Sequence, residues 1–283
     1  MRMVVDSNYL RCDKLRSYLD ASKTNYAVLT DYAAMEAYKG ENLAGIYRSW
    51  EIISAFPKQI IVLKRTQAIC GLNGREASSQ TALIDKNQTQ KLPEYFRNLI
   101  AAQTGDLRLQ QQLLDHGREA TAHIDRMILE MPTLVTGINL LEKTYSAAEL
   151  RILRCFEKPT PEMHEKMIKT ILALAGEFFR RHPSIVTFPK LPDARDMFVF
   201  RYAICSYVSI LQRIETGGVG RTKLEKLRND VIDVNFASFG TLFDGLLTSD
   251  RKAAATYDHA KFLLREVFAM PPWGLRWLFR RSL

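Results

Sequence analysis

Cysteine is scarce and scattered in this chain. Four cysteines occur among 283 residues, and no two of them form a C-x-x-C pair or lie beside a ladder of histidines. This spacing suggests neither a zinc site nor a disulfide framework, because both need their ligands or partners in recognisable sets. We therefore expect buried free thiols at Cys12, Cys70, Cys155 and Cys205.

Long hydrophobic runs are also missing. The longest apolar stretch, 197–211, is shorter than a bilayer span and contains Arg201, which favours a buried core helix. At the N-terminus the acidic Asp6 comes too early for the apolar core of a signal peptide. These absences predict a cytoplasmic protein with no integral membrane segment.

The composition is that of a soluble globular protein, with 47% hydrophobic and 25% charged residues. A chain of 283 residues can form one large domain or two ordinary ones. Lysine and arginine number 40 against 31 acidic residues, a net charge of +9. This excess favours polyanionic partners, such as nucleic acid or an anionic surface.

The first 64 residues alternate between short apolar runs and segments with helical spacing of leucine. Three runs, at 3–5, 26–29 and 59–63, are separated by predicted helices at 13–21, from Asp31, and at 43–55. The Thr30 hydroxyl can cap the helix that starts at Asp31. This order is typical of a parallel sheet with crossover helices.

The remainder of the chain is predominantly helical in pattern. Residues 71–93 are polar and lack a sustained apolar period, which predicts a mobile loop, whereas 94–181 carry leucines at helical spacing. After this comes a long helix over 196–215 closed by Gly217 and Gly218, a helix from 222 through Asp230, an apolar run at 242–247, and a helix over 253–268. The tail, 269–283, interleaves aromatic and basic residues, a composition that fits base stacking, docking on the domain or on a partner, or a membrane surface.

Five acidic residues stand where parallel strands or their following helices would bring them together. Asp6 ends the first run, Glu36 lies on the helix after the second, Asp230 and Asp233 are one helical turn apart, and Asp250 follows the last run. Clustered carboxylates repel one another unless they take protons or a cation. Mg²⁺ and Mn²⁺ prefer such oxygen ligands and can lower the pKa of a bound water. Any one of these acids taken alone is more often a helix cap or a solvated charge than a metal ligand.

Four segments together resemble the successive motifs of PIN (PilT N-terminus) domain nucleases: Val4-Val5-Asp6-Ser7-Asn8, Thr30 with Glu36, Asn229-Asp230 with Asp233, and Leu247-Thr248-Ser249-Asp250. The resemblance covers about 1–64 and 193–268. It implies an α/β, PIN-like three-layer fold with a central parallel sheet, a discontinuous nuclease domain over those two segments, and a mainly α-helical insertion at 65–192.

The resemblance also implies roles for individual residues. Asp6, Glu36, Asp230 and Asp250 would be the catalytic, metal-binding acids for Mg²⁺ or Mn²⁺, with Asp233 as an alternate metal ligand at the third position. The supporting polar residues would be Asn8, Thr248, Ser249 and Asn229.

Basic residues flank the acidic motifs, and lysine or arginine could contact phosphates across the metal site. A solvated helix face explains them nearly as well. They are Arg221, Lys223, Lys226, Arg228, Arg251 and Lys252.

The implied activity is metal-dependent hydrolysis of phosphodiester bonds, most often in RNA, as in the toxin-type endoribonucleases of the family. An antitoxin or another protein partner is then possible. Two alternatives stay open: a structure-specific DNA nuclease, and a catalytically inactive PIN-like scaffold. The 71–93 loop and the insertion could shield the site or select the substrate.

Overall fold

A computed structural model describes residues 1–40, 42–155, 157–182, 189–220 and 222–268. The basic and aromatic tail, 269–283, and Arg221 lie outside the described residues, so the predictions made for them stay predictions. All four cysteines are free, as predicted. The expected burial holds for Cys205 but fails at Cys155, which is exposed.

The described residues form one parallel sheet of four strands, which confirms the α/β class. The strands are β1 (Arg2–Val5), β2 (Tyr26–Leu29), β3 (Ile60–Val62) and β4 (Gly245–Leu247). They are hydrogen-bonded in the order β3-β2-β1-β4. β2, β3 and β4 lie within predicted apolar runs, and β1 begins one residue before its run, at Arg2. The last run contributes only its final three residues.

Helices connect the strands and make up most of the chain. The helices of the first 64 residues are α1 (Asp13–Asp20), α2 (Asp31–Tyr38) and α3 (Leu43–Ser54). Between β3 and residue 195 lie α4 (Thr66–Cys70), α5 (Gly74–Ala77), α6 (Gln80–Leu83), α7 (Lys86–Gln103), α8 (Leu107–Arg126), α9 (Met131–Lys143), α10 (Ala147–Arg154), α11 (Pro161–Arg181) and α12 (Leu191–Ala194). The last helices are α13 (Phe198–Glu215), α14 (Leu224–Leu242) and α15 (Arg251–Phe262).

Short helical turns complete the described structure. Three have 3-10 geometry, at Ser7–Arg11, Pro57–Gln59 and Met127–Glu130, and a π turn at Leu263–Val267 extends α15. Gly217 and Gly218 both have positive φ and end α13 where predicted. The helix expected near Asp230 is longer than predicted, because α14 continues to Leu242 as a buried element.

The sheet has helices on both faces because its side chains alternate. Paired residues Val4, Val28 and Ile61 point to one face, where they share a core with Phe198 of α13 and Phe239 of α14. The alternate residues point to the opposite face, where α1, α3, α7 and α8 pack. They are Val5, Ala27, Leu29 and Ile60.

The prediction of a loop over 71–93 is wrong. This segment contains α5, α6 and the first two turns of α7, with Pro93 inside α7. Its apolar residues are too few to give a helical period, but it is fixed by backbone pairing with the edge strand. Lys64 donates to the Leu83 carbonyl, Asp85 donates to the Val62 carbonyl, and Leu63 bridges Ile84 in antiparallel sense.

The segment predicted as an insertion is integrated into the sheet layers. Leu92, Phe96 and Leu99 of α7 belong to the same core as Val5 and Ile60. Helix α8 crosses α2 and buries Ile124 against α2 and α14. Among the described helices, none combines the length and apolarity needed to span a membrane.

Candidate metal site

The candidate site lies at the carboxyl ends of the two central strands. Val5 is level with Leu247, and Val4 is level with Val28, so continuing the register places Asp6 beside Thr248 and Thr30. The Asp6 N–H donates to the Leu247 carbonyl at 3.0 Å and extends this pairing. The sheet order reverses at β1, between β2 and β4, and open α/β sheets bind ligands at such a switch point.

Asp6 is the most buried acid of the site, with 1% exposure. Its Oδ1 accepts from the Ser7 hydroxyl at 3.2 Å and from the Asn8 N–H at 3.4 Å, and its Oδ2 accepts from the Thr248 hydroxyl at 2.7 Å. Burial raises the pKa of the Asp6 carboxyl, and these hydrogen bonds oppose that rise. The carboxylate is therefore held in one orientation by the residues that follow β1 and β4.

Ser7 connects Asp6 to Glu36. Its hydroxyl lies within hydrogen-bond distance of both carboxylates, and the contact with Glu36 Oε2 is the closer one. A hydroxyl has one proton to donate, so it serves one carboxylate at a time. Burial raises the pKa of Glu36, and the neighbouring Asp6 charge raises it further. The two acids are thus close enough to interact directly.

Asp250 begins α15 and is fixed by the loop before it. Its Oδ1 accepts from the N–H groups of Lys252 at 2.7 Å and Ala253 at 2.9 Å, a helix cap. The Asp250 N–H donates to the Thr248 hydroxyl at 3.0 Å, and the same hydroxyl donates to Asp6. Thr248 therefore links Asp6 to Asp250, while Ser249 is exposed in this loop.

The Asp230 carboxylate forms ion pairs with two cations. Arg213 of α13 makes an ion pair with Oδ2 of Asp230, and the Lys252 ammonium lies 2.6 Å from its Oδ1. The Arg213 and Asp230 side chains are only 11% and 14% exposed. A buried cation requires such a partner, because an unpaired buried charge is costly. Asp230 is thus charge-balanced within the protein.

Asp233, one turn further along α14, is in the opposite situation. Burial raises its pKa to about 8, and four neighbouring carboxylates contribute to the rise. In order of effect they are Asp250, Asp6, Asp230 and Glu36. Asp233 is therefore an electrostatic neighbour of every other acid in the predicted set. Of the two candidates for the third acidic position, Asp233 is the one with unbalanced negative charge around it.

The predicted basic residues divide into two groups. Arg228 is buried and pairs with Asp125 of α8 at 3.0 Å, and Lys252 pairs with Asp230. Both cations therefore have carboxylate partners within the protein, whereas the prediction required them to be free for phosphate. Their surroundings explain this, since each lies beside the acids and neutralises part of their charge. Lys223, Lys226 and Arg251 are exposed, as a nucleic-acid contact requires.

The predicted supporting amides are both exposed. Asn8 contributes its backbone N–H to Asp6, and Asn229 accepts from the Arg228 guanidinium at 3.1 Å. Two residues outside the predicted set have a clearer place in the site, Ser7 and Arg213. Ser7 stands inside the first motif, between the carboxylate of Asp6 and the amide of Asn8. The signal for Arg213 in the sequence is a cation, like Arg201, within a largely apolar helix.

The donor chemistry of the cluster fits a hard divalent cation, because all of its acids offer carboxylate oxygens. In the described part of the chain, no three or more His, Cys, Asp or Glu side chains are arranged to hold a metal ion. The carboxylates are neighbours but are directed at Ser7, Thr248, backbone N–H groups and cations. Coordination would require these side chains to turn toward a common point.

Comparisons with protein-family models, curated proteins and solved structures give no match to this chain.

Proposed function

We propose that this protein is a metal-dependent, PIN-like nuclease that hydrolyses phosphodiester bonds, with RNA as the favoured substrate. One observation carries the proposal: Asp233 is half-buried beside Asp6, Glu36 and Asp250, at the switch point of a parallel sheet. Carboxylates that lie so close together repel one another, and binding of protons or of a cation removes this repulsion. The preference for RNA rests on the PIN resemblance.

The residues of this chain would have separate duties in that reaction. Asp6, Glu36, Asp233 and Asp250 would hold Mg²⁺ or Mn²⁺, which would supply a water of lowered pKa and screen the charge on phosphorus. Ser7 orients Asp6 and Glu36, and Thr248 orients Asp6 and the Asp250 loop. Arg213 and Lys252 restrain Asp230 beside the cluster. By family analogy, in-line attack of water on phosphorus would break the bond to the 3′ oxygen and leave a 5′-phosphate on one fragment and a 3′-hydroxyl on the other.

The test is cleavage of single-stranded RNA with Mn²⁺, measured for wild type and for Asp6→Asn. Because Asp6 is the central acid, we expect its replacement to lower the rate by about 100-fold or more, and a chelator to abolish cleavage. Asp20→Asn is the matched control, because Asp20 is exposed at the end of α1. Undiminished cleavage by a folded Asp6→Asn protein would refute the assignment.

A second candidate is a non-catalytic PIN-like interaction protein. The ion pairs of Asp230 and the dispersed orientation of the carboxylates favour it. Calorimetric titration with Mn²⁺ separates the two candidates, since a scaffold would bind no metal ion. The cleavage assay described above, repeated with structured DNA substrates, decides between RNA and DNA.

A further inference from the structure

A groove beside the edge strand has a chemistry that differs from that of the acidic cluster. It has a volume of ≈ 570 Å³ and is open to solvent between the end of β3 and the start of α7. Its polar lining comes from Lys64, Ser79, Thr81, Asp85 and Lys86. All of these residues except Lys64 belong to the 71–93 segment.

The two lysines of the groove are available for a ligand. Within the part of the chain that the structure describes, neither ammonium group has a carboxylate partner, whereas Lys166 pairs with Glu149. The one acid of the groove, Asp85, caps α7 by accepting from the Gln88 N–H at 2.9 Å. The groove therefore presents two cations and two hydroxyls, which suit phosphate and sugar oxygens.

The position of the groove relates it to the acids. Leu29 is level with Val62, so Leu63 is level with Thr30 and Asp6, and Lys64 follows one residue beyond this row. β3 is two strands from β1, which corresponds to about 10 Å at the usual strand spacing. About three nucleotides span that distance at the 3.4 Å rise of a stacked strand.

The groove is also built into the fold. The backbone bonds between 83–85 and 62–64 join its two sides, and the Thr89 hydroxyl accepts from the Val62 N–H at 3.0 Å. Gln80, which lies between Ser79 and Thr81, donates to the Leu242 carbonyl at 2.9 Å and accepts from Arg2 at 3.2 Å. These hydrogen bonds therefore fix the backbone that carries Lys64 and Lys86.

We propose that this groove binds the sugar-phosphate backbone of a single-stranded nucleic acid that extends from the acidic cluster along the carboxyl edge of the sheet. The inference rests on the proposed function for its orientation. Lys64 and Lys86 contact phosphates, and the hydroxyls of Ser79 and Thr81 contact phosphate or sugar oxygens. Such contacts add affinity without base specificity.

The experiment measures binding apart from cleavage. Fluorescence anisotropy of a labelled 12-nucleotide RNA, in chelator and over a series of salt concentrations, compares wild type with a Lys64→Ala, Lys86→Ala double variant. The matched control is Lys58→Ala with Lys91→Ala, because Lys58 is exposed at the opposite end of β3 and Lys91 is exposed on α7.

We expect the groove variant to bind at least about 10-fold more weakly, and its slope of log K against log salt to be smaller by about 1.4, the value for two lost phosphate contacts. The control variant should match wild type in both respects. Equal binding by the two double variants, or no RNA binding by wild type, would overturn the groove assignment. Loss of binding at the groove in a protein that cleaves nothing would overturn the proposed function alone.

Discussion

Asp230 and Asp233 carry the same side chain on neighbouring positions of α14, but their surroundings give them different roles. Arg213 and Lys252 neutralise Asp230, while the half-buried Asp233 lies among carboxylates. Sequence spacing placed both on one helix face and left the choice open. The deciding partner, Arg213, is 17 residues away on another helix, which no local pattern reveals.

Asp233 should make the metal-free protein less stable as the pH rises. The ordinary pKa of 3.8 applies to the unfolded chain, and burial raises the pKa to about 8 in the folded protein. Between these values unfolding releases a proton, so the stability contributed by the neutral carboxyl is complete below about pH 4 and is lost as the pH approaches 8. In chelator, Asp233→Asn should remove a loss of stability of up to about 4 kcal/mol between pH 5 and pH 8, since each pH unit contributes about 1.36 kcal/mol.

Denaturant unfolding at the two pH values measures this difference. Asp230→Asn is the companion variant: it should keep the pH dependence but lower stability at both pH values by about 3 kcal/mol, because Arg213 loses its carboxylate. Identical pH dependence in wild type and Asp233→Asn would show that folding does not raise the pKa of Asp233.

At the scale of elements, α8 determines where α2, and therefore Glu36, is held. The C-terminal end of α2 is tied to α8, because the Gly40 N–H donates to the Thr121 hydroxyl at 2.9 Å. At the crossing, a Cβ on Gly117 would lie 2.7 Å from the Gly40 carbonyl oxygen and 2.9 Å from that of Tyr38. Only glycine permits this approach of two backbones.

Gly117→Ala should therefore destabilise the protein by about 1–3 kcal/mol, since backbone rather than a flexible side chain opposes the added methyl group. The shift of α2 should also weaken any Mn²⁺ affinity that depends on Glu36. Gly137→Ala on α9 is the matched control, because nothing lies within 4 Å of its Cβ position, and it should be neutral or slightly stabilising. Chemical denaturation and Mn²⁺ titration of both variants check this, and equal stability would contradict the close crossing.

Elements with strong local signals were predictable from the sequence, and elements fixed by distant contacts were not. The apolar runs of β1, β2 and β3 and the Thr30 cap could be predicted, because they depend on neighbouring residues. The helices within 71–93 could not, because pairing of 83–85 with β3 holds them in place. Similarly, the order of acidic motifs predicted Asp6 and Asp250 as neighbours, while the ion pairs of Arg228 and Lys252 required the fold.

At the scale of the whole molecule, the sheet and the segment 65–192 depend on each other. Helix α7 supplies Leu92, Phe96 and Leu99 to the core that covers one face of the sheet. If the sheet and the segment 65–192 were separate domains with a boundary at residue 64, these residues and Ile60 would be exposed to water. We therefore expect the sheet and the segment 65–192 to unfold together rather than as separate units.

Phe96→Ala should accordingly destabilise the sheet and the helices together. Phe96 is 3% exposed, and its ring packs against Trp50 of α3 with centroids 6.4 Å apart. Loss of a buried phenyl ring costs about 3–5 kcal/mol, which should lower Tm by roughly 5 °C or more in one transition, because α7 and the sheet share a single core. Phe262→Ala, at a ring 60% exposed, should leave Tm within about 1 °C of wild type. Scanning calorimetry distinguishes the cases: a Phe96→Ala protein with two separate transitions, only one of them shifted, would mean that the 65–192 segment folds independently of the sheet.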